Sequence, residues 1–270
     1  MALPLWAVKI IKRSFSGIFV AAKMTRVPVL GRFIERALFK DDRMIYLPRD
    51  GSIQVDVEVD RGTDMVLPSQ VVDHFIDETE YLWIMNECIC RSSSQCRDYP
   101  VEVGCLFMGD AAKGINPALG RQVSRAEAKE HVRRAREAGL VHVIGRNKLD
   151  SVWLWAGPKE KLLTVCNCCP CCCLWRSLPY LDRRISGNIT KMPGVTVEVT
   201  EDCVGCGTCL DKCFVNAISL EGGHAVIGAE CRGCGRCVEN CPNEAIRLEV
   251  DMEKAVNEAI ERISALVDIS

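Results

Sequence analysis

The sequence lacks the short motifs by which proteins hold the common organic cofactors. It has no G-x-x-x-x-G-K-[ST] loop for nucleotide phosphates, no G-x-G-x-x-G turn after a strand for a dinucleotide, and no C-x-x-C-H haem attachment site. Motifs therefore give no support to nucleotide, flavin or haem chemistry. Any electrons that this chain handles must enter and leave through protein partners, or through a chemical step at its own cysteines.

Long hydrophobic runs and export signals are also missing. In the basic N-terminal segment the longest run without a charge is the nine-residue stretch 14–22, whereas a membrane-spanning helix needs about 20 apolar residues. There is no cleavable secretory signal and no twin-arginine signal, yet the chain has 18 cysteines. Disulfide scaffolds are short secreted chains, and this many thiols need a reducing compartment. We therefore expect a cytoplasmic protein, of an anaerobe.

Charge is spread unevenly along the chain. The net charge is −2, but residues 1–40 carry eight cations against the single anion Glu35, which leaves +7 on this segment and −9 on the remainder. Apolar and aromatic residues alternate with these cations, and Pro28 divides the segment. We expect a basic amphipathic helical extension over residues 1–45. It would lie on an anionic membrane surface or dock on a membrane-bound redox partner, or else pack on the acidic remainder of its own chain.

The middle of the chain mixes strand and helix patterns. Residues 52–60 alternate between apolar and polar side chains and predict a half-buried strand. Pro68 and Ser69 then open a predicted helix, whose apolar spacing runs through Leu82 and Met85 toward the first cysteines.

A second helix is predicted from its end signals. Ser124 and Glu127 form a capping box and Gly139 is placed as the stop, so residues 125–138 should be helical. Residues 140–144 and 152–156 then predict the two strands of a hairpin. A helix followed by a hairpin is similar to half of a winged helix. An iron–sulfur sensor that binds DNA is therefore a minor alternative for the function. The helix carries both signs of charge, however, which is typical of a solvated face.

One cysteine pattern, C-x-x-C-x-x-C-x-x-x-C, occurs twice, 28 residues apart. Glycines stand on both sides of the second cysteine in each copy, where a chain folding round an inorganic cube needs small residues and permissive backbone angles. Each copy ends in Ala-Ile-x-Leu-Glu, which predicts a short strand after a helical turn. The eight cysteines are Cys203, Cys206, Cys209 and Cys213 in the first copy, and Cys231, Cys234, Cys237 and Cys241 in the second.

Residues 194–250 thus resemble the bacterial two-cluster [4Fe-4S] ferredoxin domain. In that family the fourth cysteine of each motif ligates the other cluster. The resemblance therefore implies one cluster on Cys203, Cys206, Cys209 and Cys241, and another on Cys231, Cys234, Cys237 and Cys213. Proline usually follows each fourth cysteine in the family; here Pro242 fits and Phe214 does not. Four-cysteine zinc sites are the alternative, but zinc ribbons use longer spacers.

Ten cysteines remain outside this pattern. At this density they indicate bound metal, because adjacent free thiols are oxidation hazards. We expect a further iron–sulfur cluster or zinc, with dithiol or sulfur-transfer chemistry as the alternative; Cys88, Cys90, Cys96 and Cys105 would suit zinc. On an extended chain Cys166 and Cys168 share one face and Cys169 takes the other, so this run could serve two sites. The ten are Cys88, Cys90, Cys96, Cys105, Cys166, Cys168, Cys169, Cys171, Cys172 and Cys173.

These patterns together predict an α+β chain. We expect the basic extension over 1–45, a cysteine-rich α+β domain over 46–190, a ferredoxin domain over 191–250, and a C-terminal helix over 251–270 capped by Asp251. The predicted function is single-electron transfer through two [4Fe-4S] clusters within a larger redox complex, with a further metal site in the middle domain. The alternative is a reductase whose substrate binds at the cysteine-rich middle, fed by the ferredoxin domain.

Overall fold

The N-terminal segment forms short amphipathic helices, as predicted. The computed structural model describes residues 2–53 and 67–269. Pro28 is the first residue of the third helix, where its missing N–H costs no hydrogen bond, so it separates two helical halves. A 3-10 turn at Phe15–Gly17 joins the first two helices, and a π turn at Glu35–Phe39 ends the segment. The helices are α1 (Leu5–Ser14), α2 (Ile18–Met24) and α3 (Pro28–Ile34).

A seven-stranded sheet forms the centre of the molecule, in the order β4-β2-β3-β6-β5-β1-β7. All neighbours are antiparallel except β1 and β7, which are parallel. The strands are β1 (Arg43–Tyr46), β2 (Leu82–Met85), β3 (Leu106–Met108), β4 (Gly120–Val123), β5 (Val141–Arg146), β6 (Leu163–Cys168) and β7 (Ile189–Lys191).

Among the described residues, five α-helices connect these strands. The capping box of α6 is present, with Ser124 accepting from the Glu127 N–H and Glu127 accepting from the Ser124 N–H, which confirms the predicted helix to within one residue. Gly139 follows this helix at φ +75°. The helices are α4 (Gln70–Glu78), α5 (Ile89–Ser93), α6 (Arg125–Glu137), α7 (Lys148–Leu154) and α8 (Arg183–Ser186).

Two sequence predictions in this region are wrong. The helix opened by Pro68 ends at Glu78, and Leu82 and Met85 lie in β2, because the aromatic and branched run that begins at Tyr81 fits a buried strand. The predicted second hairpin strand, 152–156, is instead the end of α7 and the turn after it. Asn147 begins that helix by accepting a hydrogen bond from the Leu149 N–H at 3.1 Å.

The winged-helix resemblance therefore fails, because β5 pairs with β6 and not with a strand at 152–156. The cations of α6 are also engaged: Arg133 pairs with Glu130 and Glu137, and Lys129 pairs with Asp77. Residues 54–60 of the predicted strand 52–60 lie outside the described residues.

The last 80 residues add two small sheets and three helices. Asp251 caps the final helix by accepting from the Lys254 N–H at 3.3 Å, which confirms the predicted C-terminal helix. β9 pairs with β10, and β8 pairs with β11, both antiparallel. The elements are β8 (Thr196–Val199), α9 (Thr208–Lys212), β9 (Ile218–Glu221), β10 (His224–Ile227), α10 (Arg236–Glu239), β11 (Ile246–Glu249) and α11 (Met252–Ser264).

The two faces of the large sheet bury different partners. One face packs on α4, α6 and α11, through residues such as Phe75, Val132 and Ile263. The opposite face carries Tyr46, Val143 and Cys168, and packs against the N-terminal helices, the turn at Leu174–Tyr180 and residues 214–217. The cysteine-rich regions lie on this second face and at its edge.

Candidate metal centres

Each copy of the doubled motif forms a tight loop that leads into a short helix. Gly205, Gly207, Gly233 and Gly235 all have φ between +60° and +78°, as the sequence predicts for a chain wrapped round a small inorganic core. A Cβ atom on Gly205 would lie only 2.1 Å from the carbonyl oxygen of Gly223. Glycine is therefore required at Gly205 both by backbone angle and by space.

The eight cysteines of this region are grouped by fold into two sets. Burial raises the pKa of the Cys209 thiol, and the nearby Cys206, Cys203 and Cys241 thiols raise it further. Burial likewise raises the pKa of the Cys237 thiol, and the nearby thiols of Cys234, Cys231 and Cys213 raise it further. Each set thus takes three sulfurs from one motif and the fourth from the other.

Backbone N–H groups point at several of these sulfurs. Ala217 donates to Cys213 Sγ at 3.2 Å and, at the equivalent position of the repeat, Ala245 donates to Cys241 Sγ at 3.3 Å. Ala225 and Gly233 donate to Cys203 Sγ and Cys231 Sγ, both at 3.4 Å. Such donors stabilise negatively charged thiolates and the reduced form of a cluster bound to them.

Two segments of this region, residues 197–219 and 225–247, match the family model of the 4Fe-4S binding domain. Residues 197–247 form a ferredoxin-type 4Fe-4S binding domain. The match covers both motifs and the strands that flank them, and it supports iron–sulfur binding by this part of the chain. Beyond it, the chain has no match among curated proteins and none among solved structures.

The fold explains why Phe214 stands where the ferredoxin family usually has proline. Its side chain is buried, and its ring lies 5.5 Å from the ring of Tyr46 on the large sheet, centroid to centroid. Proline at this position would have no aromatic ring to place there. Phe214 therefore joins the ferredoxin-type domain to the rest of the molecule.

The two cysteine-rich segments of the middle region, 88–105 and 166–173, meet in the fold. They meet because β3 pairs antiparallel with β6, with Leu106 opposite Val165. This pairing sets Cys105, one residue before β3, beside Cys166 on β6. The ten thiols then divide into a group of four and a group of six.

The group of four consists of Cys96, Cys169, Cys171 and Cys172, whose Sγ atoms all lie within 4.8 Å of one another. The Cys96 and Cys171 sulfurs are 3.5 Å apart. In a tetrahedral zinc site with Zn–S bonds of about 2.3 Å, the sulfurs would be roughly 3.8 Å apart. A cubane holds its thiolates further apart, because its irons occupy alternate corners of a cube. The group of four therefore fits a single tetrahedral metal ion.

The group of six borders a cavity on the second face of the sheet: Cys88, Cys90, Cys105, Cys166, Cys168 and Cys173. Cys169 also lines this cavity, although its sulfur lies with the group of four. The predicted zinc set of Cys88, Cys90, Cys96 and Cys105 is not brought together, since only Cys96 joins the group of four. The prediction that residues 166–169 face two sites agrees with this division.

Arg91 lies between the two groups. It is 1% exposed and donates to the carbonyl oxygens of Pro100 (2.9 Å), Asn167 (2.7 Å) and Val103. Arg97, the other arginine near the first cysteines, is exposed. Of these two arginines, Arg91 alone is placed to stabilise buried thiolates.

A buried polar network supports this region, and the sequence gives no signal for it. His142 Nδ1 lies 2.8 Å from Asn167 Oδ1, and Asn167 donates to the Gly104 carbonyl at 2.7 Å. Burial lowers the pKa of His142 to about 4, so the ring is neutral at physiological pH. His142 is thus a packed strand residue that holds Asn167, which lies between Cys166 and Cys168.

The ferredoxin-type domain contacts the group of four through Arg236, which stands between Cys234 and Cys237. Its guanidinium donates to the Tyr99 hydroxyl at 2.5 Å and to the Gly139 carbonyl at 3.0 Å. Tyr99 in turn packs with Cys96 and Cys171 in one cluster. The second motif is therefore joined to the group of four through two side chains.

The N-terminal helices bury one face against the molecule and expose the other. Val8, Phe15 and Ala22 are buried, and Lys12 pairs with Glu87. On the outer side Trp6 is 66% exposed and Phe33 is 71% exposed. Within residues 2–53 and 67–269, no helix is both long enough and apolar enough to cross a membrane.

Proposed function

We propose that this protein is an iron–sulfur electron-transfer protein in which two [4Fe-4S] clusters relay single electrons between a redox partner and a metal centre in the middle region. The observation that carries the proposal is the double match of residues 197–247 to the 4Fe-4S binding domain. One cluster would be held by Cys203, Cys206, Cys209 and Cys241. The other would be held by Cys231, Cys234, Cys237 and Cys213.

The two sulfur sets support this assignment of ligands. The backbone donors at Ala217 and Ala245 fit thiolates that carry a cluster, because they place partial positive charge on the outer side of the sulfur. The clusters supply the one-electron chemistry; the protein holds them close together and shields them from water.

The middle metal centre of the proposal is the group of four, Cys96, Cys169, Cys171 and Cys172. Its spacing suits one tetrahedral ion, either zinc or iron. With iron it would accept an electron from the cluster on the second motif, along the contact of Arg236 with Tyr99. With zinc it would be structural, and the electrons would pass elsewhere.

EPR of the anaerobic, chemically reduced protein tests the relay. Two reduced cubanes in one small domain give spectra broadened by spin–spin interaction. We expect this broadening in the full chain, and a single isolated cluster signal in the variant Cys206→Ser, in which only the first set is damaged. A full chain with no reducible cluster, or with one cluster only, would refute the proposed function.

We further propose that the N-terminal helices bind an anionic membrane surface. Trp6 and Ile10 lie one turn apart on α1 and are 66% and 55% exposed; Val29 and Phe33 lie one turn apart on α3 and are 85% and 71% exposed. Each apolar pair is accompanied by exposed cations on its own helix or just after it: Lys9, Arg13, Arg32 and Arg36. Apolar side chains flanked by cations suit the boundary between acyl chains and anionic headgroups.

Co-sedimentation with vesicles tests this docking. We expect the full chain to bind vesicles that contain phosphatidylglycerol, and to bind pure phosphatidylcholine vesicles weakly. The double variant Trp6→Ser/Phe33→Ser should lose the binding, whereas Trp155→Ser, which removes a 56% exposed tryptophan outside these helices, should keep it. Equal binding by both variants would reject the membrane surface and leave a protein partner as the occupant.

A further inference from the structure

Six thiols outside the ferredoxin-type domain and outside the group of four border one cavity. They come from separate parts of the chain: the start of α5, the residue before β3, the end of β6, and the loop after β6. The cavity is otherwise lined mainly by large apolar side chains, among them Phe107, Leu154 and Trp175. The six are Cys88, Cys90, Cys105, Cys166, Cys168 and Cys173.

The thiols of this group interact with one another directly. Cys88 interacts with Cys90. Cys166 interacts with both Cys105 and Cys168, and Cys168 interacts with Cys173. All six are free cysteines. Packing alone does not account for six converging sulfurs, because clustered free thiols are readily oxidised unless they are bound.

The buried guanidinium of Arg91 points to negative charge at this place. Arg91 lines the cavity, is 1% exposed, and donates only to neutral carbonyl groups. Among the described residues it has no carboxylate partner. An isolated buried charge is costly, so an anionic group must lie nearby. The Asp150 carboxylate also lines the cavity, but it accepts a hydrogen bond from the Asn147 side chain at 2.9 Å and forms no ion pair with Arg91 among the described residues, so thiolates bound to metal are the anions that remain to pair with the guanidinium.

Two buried donors on this face of the sheet lack an acceptor. The Trp175 indole N–H forms no hydrogen bond within the part of the chain that the structure describes, and Trp175 lines the cavity together with Cys166. The Tyr46 hydroxyl is fully buried and equally unpartnered. Tyr46 packs in one cluster with Cys168, Cys173 and Cys234. Buried donors without partners indicate an acceptor that is part of the native site.

We propose that the cavity is a separate iron–sulfur site, in which the six cysteines hold a cluster of several irons. A zinc ion and a standard [4Fe-4S] cluster each take four thiolates, so either would leave two of the six unused. A larger cluster of several irons can use all six, because a thiolate can bridge two irons as well as bind one, and the sulfides of the cluster accept hydrogen bonds. The cluster would lie near Tyr46, which packs with Cys168 and Cys173 and with Cys234 of the second ferredoxin motif. This inference requires that the chain acquires iron–sulfur clusters, but it requires neither the relay nor metal in the group of four.

Iron and sulfide analysis of the anaerobically purified full chain tests the site. Two cubanes account for about eight irons. We expect about twelve or more in the unmodified chain, and a return to about eight in Cys105→Ser/Cys166→Ser with the ferredoxin EPR signals retained. The matched variant Cys96→Ser/Cys172→Ser, which damages only the group of four, should keep the extra iron.

A second variant makes the test independent of how the first one folds. Cys206→Ser/Cys234→Ser disrupts both ferredoxin sets, and we expect it to retain the iron of the cavity, seen by Mössbauer spectroscopy. About eight irons in the unmodified chain, or alkylation of all six cavity thiols in the native protein, would overturn the proposal and favour a dithiol site. Absence of the ferredoxin signals in the unmodified chain would instead refute the proposed function, so the two failures are distinguishable.

Discussion

At the scale of single residues, the sequence identifies some of the side chains that form the candidate sites and misses others. The sequence identifies all eighteen cysteines as candidate ligands, because their spacing and density carry the signal. It does not identify Tyr46, Asn167 or Trp175, because nothing in the sequence near a lone tyrosine or tryptophan reveals that the fold will bury its polar atom. The pairing of β5 with β6 places Asn167, and no local pattern predicts that register.

Arg91 gives the sharpest prediction at this scale. Arg91→Met should remove the metal of the middle region, because it takes away the buried cation and leaves the carbonyls of Pro100, Val103 and Asn167 unpaired, each at about 1–3 kcal/mol. The ferredoxin EPR signals should remain. Metal analysis checks this, with the exposed Arg97→Met as control; full retention of metal in Arg91→Met would contradict the role given to the guanidinium.

A substitution of Phe214 tests how much the contact between the ferredoxin-type domain and the large sheet stabilises the protein. Phe214→Ala should lower the free energy of unfolding by roughly 3–5 kcal/mol, the usual cost of truncating a buried phenylalanine. Leu220→Ala, which truncates a 42% exposed side chain in the same domain, should cost much less. Anaerobic urea unfolding measures both, and equal losses would mean that the contact of Phe214 with Tyr46 contributes little.

The buried carboxyl group of Asp42 should make the stability of the protein depend on pH. Burial raises its pKa to about 7, while its Oδ1 accepts the Lys148 N–H at 2.7 Å at the start of α7. The folded state therefore keeps a proton that the unfolded state releases above about pH 4, so this contribution to stability is lost as the pH rises toward 7. Asp42→Asn, which resembles the protonated carboxyl, should gain roughly 2–3 kcal/mol over the parent chain between pH 5 and pH 7. A difference in unfolding free energy that does not change over this range would show that Asp42 titrates normally.

At the scale of elements, end signals predicted better than apolar spacing. The capping residues at Ser124 and Asp251 and the break at Pro28 were found from the sequence because each acts on its own neighbours. Apolar spacing alone assigns Leu82–Met85 to a helix and residues 152–156 to a strand, because short apolar runs fit either period. Leu82–Met85 forms a strand instead because β2 lies between β3 and β4 and pairs with both.

At this scale, the glycines in the loops of the doubled motif lead to a testable prediction about cluster binding. Gly205→Ala should lose the cluster of the first set, because its Cβ would overlap the Gly223 carbonyl. Gly222→Ala is the matched control: it has a similar φ of +57° with nothing within 4 Å of the added Cβ, so it should cost only about 1 kcal/mol of backbone strain. Iron content and visible absorbance of the two variants give the comparison. Normal cluster content in Gly205→Ala would mean that the loop can move away from residue 223.

At the scale of the whole molecule, the cysteines lie along one continuous region. The ferredoxin-type domain contacts the group of four through Arg236 and Tyr99, and it approaches the six-thiol cavity through Tyr46. The N-terminal segment reaches the wall of that cavity, because Phe15 contacts Trp153, a lining residue, with ring centroids 6.3 Å apart. This arrangement favours a path for electrons through the molecule over an isolated carrier.

A coulometric reductive titration followed by EPR tests the central claim most directly. Electrons are added stepwise to the anaerobic full chain, and the spins are counted at each step. The account predicts two electrons in two magnetically coupled [4Fe-4S] clusters, with further electrons taken up by the middle region. A chain that accepts no electrons into a coupled pair of clusters would contradict it.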